Sequence, residues 1–124
     1  MNINISNDAS ELGNRAAQFA SIKLCEAIRR TGEARLLVST GNSQIETFNA
    51  LLEEKIEWER VEVFHLDEYI GLPLSHKAGF RNYLYDRFLS HLNILKFHSV
   101  DVEGDIDANI RALTDEIRKK PIDL

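Results

Sequence analysis

Two short apolar runs, RLLVS at 35–39 and VEVFHL at 61–66, constrain the fold of this chain more than any other feature. Both fit strands buried on two faces better than half-exposed ones. Between them the turn residues TGNSQ lead into IETFNALLEE at 45–54, whose apolar residues recur with the 3.6-residue period of a helix. The order strand, glycine turn, helix, strand is that of a βαβ unit. It implies a parallel sheet with a right-handed crossover.

The flanking sequence extends this α/β pattern. Leu12, Ala16, Phe19, Ile22, Leu24 and Ile28 predict a long amphipathic helix before the first strand, with Ser6, Asn7 and Asp8 as candidate caps and Gly32 as its stop. After the second strand, Leu66 to Gly79 is long for a βα connection of about 2–6 residues, and loops of that length are often functional. A helix is expected through FRNYLYDRFLSHL (80–92), a third strand at FHSV (97–100), and a last helix over GDIDANIRALTDEIRKK, between Gly104 and Pro121. The closing IDL reads as the opening of a further strand, so the chain is expected to be part of a larger sheet.

Composition narrows the class. A chain of 124 residues, 44% hydrophobic and 28% charged, suits one globular domain. A net charge of −5, from 15 Lys and Arg against 20 Asp and Glu, gives no basic footprint for nucleic acid. The dense cluster IRKK at 117–120 ends a helix, where positive charge suits the dipole. No apolar run approaches the roughly 20 residues of a membrane span. MNINISNDAS has neither the basic start nor the apolar core of a secretory leader, so a cytoplasmic location is expected. The single cysteine, Cys25, cannot close an intramolecular disulfide and falls in a helical pattern as a small buried hydrophobe.

Ligands of open parallel sheets collect beyond the carboxyl ends of the strands, and two unusual loops are expected there. The first, Ser39, Thr40, Gly41, Asn42 and Ser43, offers hydroxyls, a glycine that admits close backbone approach, and the N–H groups of a helix start, a combination suited to phosphate. The same residues also suit an ordinary capped turn, and they match neither a Walker loop nor a dinucleotide fingerprint. The second loop places Asp67 and Glu68 side by side where a strand stops. Facing one pocket, each would raise the other's proton affinity and bring one carboxyl toward neutral pH, where general acid–base catalysis works best. The alternative is that Asp67 caps a turn while Glu68 faces water. His65 and Asp67, two apart, would share a strand face as a metal pair does, but no third group stands at a ligand spacing and no metal is expected. His76 either lines the same pocket or decorates the loop. His91 and His98 fit a helix end and a strand boundary.

Together, STGNSQIETFNAL, VEVFHLDEYIGLPLSHKAGFRNYL and the closing PIDL resemble the first half of the glucosamine-6-phosphate deaminase (isomerase) family. Its members carry a Thr-Gly phosphate loop after the first strand, an Asp-Glu-Tyr-apolar-Gly-Leu segment after a later one, and a loop His before an aromatic-rich helix. The resemblance implies a doubly wound, mainly parallel, Rossmann-like sheet with flanking helices. Residues 1–124 then form the N-terminal part of a single sugar-phosphate isomerase-like α/β domain. It implies aldose–ketose chemistry on an amino-sugar phosphate, giving fructose 6-phosphate and ammonia, without a metal or organic cofactor. By the same resemblance Asp67 is the base that moves a proton between C1 and C2, Glu68 its supporting neighbour, and residues 39–43 the phosphate loop. His65, Tyr69 and His76 are candidate pocket-lining residues.

The family loop usually reads Thr-Gly-Gly-Thr-Pro, whereas this chain has Asn42 and Gln44 in place of the second Gly and the Pro. His65 stands where many members have Asn. The family's ring-opening His and its phosphate-clamping Arg and Lys lie beyond the matched half, so the chain alone is expected to have little or no turnover. Alternatives are a 6-phosphogluconolactonase-like hydrolase, which would favour Arg in place of Tyr69, and a non-catalytic sugar-phosphate sensor. A small-molecule sugar phosphate is the expected partner. An unpaired sheet edge would further favour association of copies into a homo-oligomer.

Overall fold

The first helix, α1 (Ala9–Thr31), begins where Asp8, rather than Ser6 or Asn7, accepts a hydrogen bond from Glu11 N–H at 2.8 Å, and Glu11 in turn accepts from Asn7 N–H at 2.8 Å. It ends at Gly32, whose left-handed backbone (φ 87°) brings its N–H to Ile28 O at 2.8 Å. In this computed structural model the described residues are 3–73 and 75–124. Met1 and Asn2, at the start of the stretch read for a leader, and Leu74 in the long loop lie outside them. The order continues through β1 (Ala34–Val38), α2 (Ile45–Leu52), β2 (Val61–His65), α3 (Phe80–Arg87), β3 (Lys96–His98) and α4 (Ile106–Arg118).

All three strands are parallel, in the order β1-β2-β3, with Ala34 opposite Val61, Val38 opposite His65, and Phe64 opposite His98. The expected βαβ unit is therefore present. Several expected boundaries shift by a residue or two, and two changes matter most. The third strand covers 96–98 rather than 97–100. The helix expected over 80–92 stops at Arg87, because Phe88 leaves the helical path (φ −140°, ψ −62°) to stack on Phe48 at 4.7 Å and meet Trp58 edge-on at 5.4 Å.

One sheet face is apolar. Ala34, Leu36, Val38, Val61 and Val63 pack with Ala17, Leu24, Phe48, Leu51, Leu84 and Phe88 in the main core. Within this layer α1 and α2 cross closely at Gly13, where a Cβ would lie 2.6 Å from the Glu46 carbonyl carbon. The other face carries a polar stack. Arg35, 3% exposed, lies 4.4 Å from the Phe64 ring centroid, and Phe64 stacks on His98 at 4.1 Å. The guanidinium meets Glu62 at 3.2 Å and donates to the carbonyls of Glu116, Ile117 and Lys120, closing the carboxyl end of α4. The run read as an apolar strand thus holds a buried cation on one face. Helices cover both faces, as in a doubly wound sheet.

The closing triplet lies along the edge of β1 that faces away from β2. Leu37 N–H donates to Leu124 O at 2.9 Å, and Asp123 N–H donates to Arg35 O at 2.9 Å. The chain thus progresses from β1 through β2 to β3 on one side, then returns to the other side of β1. That reversal is the switch point at which such sheets open a ligand crevice.

Candidate active site at the carboxyl edge of the sheet

Both loops singled out in the sequence leave this edge side by side. Val38 pairs with His65, and Leu66 N–H donates to Val38 O at 3.0 Å, carrying the ladder one residue past β2. One residue further along each chain stand Thr40, two beyond Val38, and Asp67, two beyond His65.

In the first loop, Ser39, Thr40 and Gly41 are half-buried while Asn42 and Ser43 are exposed. Gly41 adopts φ 128° and ψ 165°, a region open essentially to glycine alone. Asn42–Gln44 then make one 3-10 turn that runs into α2, a helix start without a side-chain cap. The N–H groups of such a first turn have no helical partners and favour an anion. The Gly41 carbonyl faces away from that role: it accepts from Gln44 N–H at 3.1 Å and from the Tyr83 hydroxyl at 2.8 Å.

In the second loop the two carboxylates divide. Asp67 is exposed at the mouth of the sheet. Glu68 turns back onto the head of α3, accepting from Phe80 N–H at 2.9 Å, Arg81 N–H at 2.8 Å and its neighbour Tyr69 N–H at 2.9 Å. Burial pushes its carboxyl up, but these three N–H bonds, helped by His65, hold it below its ordinary value of 4.5. For Glu68 the shift is thus opposite to the rise expected from crowding. Glu68 caps α3 from outside it, since the helix's own N-cap residue, Gly79, has no side chain to do so.

His65 is 2% exposed and neither ring nitrogen has a hydrogen-bond partner. Burial lowers its pKa against the opposing pull of Glu68 and Asp67, which favours the neutral ring. Because β2 ends at His65, the two-residue spacing to Asp67 no longer implies a shared face; one side chain is inside and the other outside. Among the described residues, no group of three or more His, Cys, Asp or Glu side chains is gathered as a metal would require. Tyr69 is half-exposed against Phe80, with ring centroids 4.6 Å apart. His76 is exposed and holds the loop's shape: its Nδ1 accepts from Ala78 N–H at 3.1 Å, and its carbonyl accepts from Gly79 N–H at 2.9 Å and Asn82 Nδ2 at 2.8 Å. Tyr83 escaped the sequence reading, because a tyrosine in an aromatic-rich helix looks like packing.

Comparison with known proteins decides the family. The profile of the glucosamine-6-phosphate isomerases/6-phosphogluconolactonases matches residues 7–124. The chain belongs to this family. Glucosamine-6-phosphate deaminase from Vibrio campbellii is 28% identical over 119 residues, covering 89% of this chain and 44% of the relative. The Shouchella clausii deaminase is 32% identical over 100 residues, covering 77% of this chain and 39% of the relative. Solved structures share the fold: a monomeric glucosamine-6-phosphate deaminase superposes with a TM-score of 0.81 at 21% identity, over 95% of this chain and 50% of that one. A 6-phosphogluconolactonase from Shewanella baltica gives 0.78 at 22% identity, over 94% of this chain and 50% of that one. This member of the glucosamine-6-phosphate isomerase/6-phosphogluconolactonase family thus spans under half the length of those deaminase relatives. Among its described residues, no helix is long and apolar enough to cross a membrane.

Proposed function

We propose that the chain contributes the phosphate loop and the proton-transfer base of a glucosamine-6-phosphate deaminase, acting in the cytoplasm. The observation that carries the reading is the division of the acidic pair at the sheet edge. Glu68 is committed to the head of α3, while Asp67 remains exposed beside the Thr40–Gly41 loop. The family profile covers both activities, and the named relatives matched by sequence are deaminases, which supports this choice over the lactonases.

In this reading the loop 39–43 receives the phosphate through its helix-start N–H groups and hydroxyls. Asp67 removes the proton from C2 of the opened amino sugar and returns it to C1. The C2 imine so formed takes up water and releases ammonia, leaving fructose 6-phosphate. A carboxylate within hydrogen-bond reach of the moving proton contributes about 10²–10⁴-fold. The clamp and ring-opening groups expected from the family lie outside this chain, so the chain alone has little or no turnover.

The test compares this chain with a protein extended to the natural end of its gene, each given glucosamine 6-phosphate with ammonia and fructose 6-phosphate measured. Asp67→Asn in the extended protein is expected to lower turnover about 10²–10⁴-fold with the fold intact. Opening of 6-phosphogluconolactone instead would favour hydrolase chemistry, and binding without turnover a sensor. Robust turnover by the 124-residue chain would overturn the account of the missing groups.

A further inference from the structure

We propose that the Tyr83 hydroxyl is a positioning group for the phosphate loop, setting the direction in which the Gly41–Asn42 peptide presents its N–H to a phosphate ester. This rests on reading residues 39–43 as the phosphate site and adds to it a residue from a different element, 42 positions away in sequence.

The geometry is specific. Gly41 holds φ 128° and ψ 165°, a conformation that the adjacent backbone alone does not favour over other glycine wells. Its carbonyl is fixed by two donors, Gln44 N–H at 3.1 Å from within the turn and Tyr83 Oη at 2.8 Å from α3. In a trans peptide the carbonyl and the following N–H point in opposite directions. Holding the Gly41 oxygen toward Tyr83 therefore turns the Asn42 N–H away from α3. Burial pushes the Tyr83 phenol above its ordinary value of 10.0, so the hydroxyl keeps its proton and its donor role at neutral pH.

The second end of the connection gives it functional reach. Tyr83 N–H bonds Gly79 O at 3.1 Å in the first turn of α3, and that turn is the one Glu68 caps, next to Asp67. The short helix α3 thus links the turn held by Glu68, next to Asp67, to the loop proposed to receive the phosphate.

Tyr83→Phe keeps the ring and removes the bond. The chain and this variant are followed by amide NMR at residues 41–44 and titrated with glucosamine 6-phosphate, with phosphate-free glucosamine as the control. The variant is expected to melt with the parent, to exchange the Gln44 amide faster, and to bind the phosphate ester about 3- to 10-fold more weakly, the loss of one hydrogen bond. In the extended enzyme the same variant raises KM by that factor and leaves kcat nearly unchanged. A wild-type loop that responds to the ester, with Tyr83→Phe giving the same exchange and affinity, overturns the role of Tyr83 alone. A wild-type loop that ignores the ester in the extended protein, where the clamp is present, overturns the phosphate reading and the positioning role with it. If Tyr83→Phe fails to fold, Tyr83→Leu, which likewise has no side-chain donor, is read by the same criteria.

Discussion

The two loops at the carboxyl edge are built on opposite principles. Residues 39–43 take their shape from the main chain: one glycine in a region closed to other residues, and a carbonyl held from two sides. The loop after β2 leans on side chains: the Glu68 carboxylate accepts from the head of α3, the His76 ring accepts from Ala78 N–H, and the Asn82 amide of α3 donates to the His76 carbonyl. The difference teaches where each loop tolerates change. A backbone-built loop depends on conformation and accepts varied side chains at its exposed positions. A side-chain-built loop depends on the identity of a few residues and on their charge, and therefore on pH.

The strongest way to break this contrast is Gly41→Ala. The space around a Cβ there is open, its nearest neighbour being Ser43 Oγ at 4.0 Å, so the penalty is one of backbone conformation and not of collision. Holding a non-glycine residue in such a region costs of order 1–3 kcal/mol, and the loop is expected to relax to another conformation instead. Chemical unfolding should show a loss within that range, and phosphate-ester binding should fall more steeply than it does for Tyr83→Phe. Retained affinity would mean that side chains, not the Gly41 backbone, make the site.

How much of this was legible in sequence follows from the range of each interaction. The βαβ unit, the three strands and both loops were visible because apolar period and glycine punctuation are local signals. Glu68 was not legible as a cap, because its partners Phe80 and Arg81 lie 12 and 13 residues downstream, beyond any capping-box spacing. Arg35 was hidden within an apolar run, because the carbonyls it satisfies belong to α4, more than 80 residues away. The early end of α3 at Arg87 reflects Phe88 turning toward Phe48 and Trp58, a tertiary demand that helical periodicity does not report. Asp67 was legible as a candidate because it stands where the apolar strand pattern stops and opens the DEYIGL segment, both local signals.

The long loop is sharpened by charge. Glu68→Ala removes the acceptor for three N–H groups and is expected to cost about 1–2 kcal/mol, the scale of a lost helix cap. Glu68→Gln keeps an oxygen but not the charge, and should cost less at neutral pH. Because the folded carboxyl is held below 4.5, its contribution is fully present above that value and is lost as pH falls through and below it. Urea unfolding from pH 7 to 3.5 should therefore show the gap between parent and Glu68→Gln narrowing only in the acid part of the range. His65, whose pKa is also lowered, adds a separate loss beginning near 6.5, since the unfolded chain binds its proton first. A gap that stays constant with pH would show that the α3 cap works through geometry alone and would bring the two loops closer in kind.

The smallest effect is expected at Asn42. The family pattern carries glycine here, yet among the described residues none other than glycine has positive φ, so Asn42 needs no glycine conformation. Its side chain is exposed at the lip of the loop. Asn42→Gly therefore acts chiefly by loosening the unfolded chain, costing about 0.4–1 kcal/mol, while phosphate-ester affinity changes less than twofold. Titration of the variant separates two contributions that the backbone account leaves out. Tighter binding would mean that the asparagine narrows the mouth of the site. A loss of severalfold would mean that its amide donates to the phosphate. Either result would transfer part of the anion recognition from main chain to side chain, whereas an unchanged affinity leaves Gly41 and the Tyr83 bond as the features that define the loop.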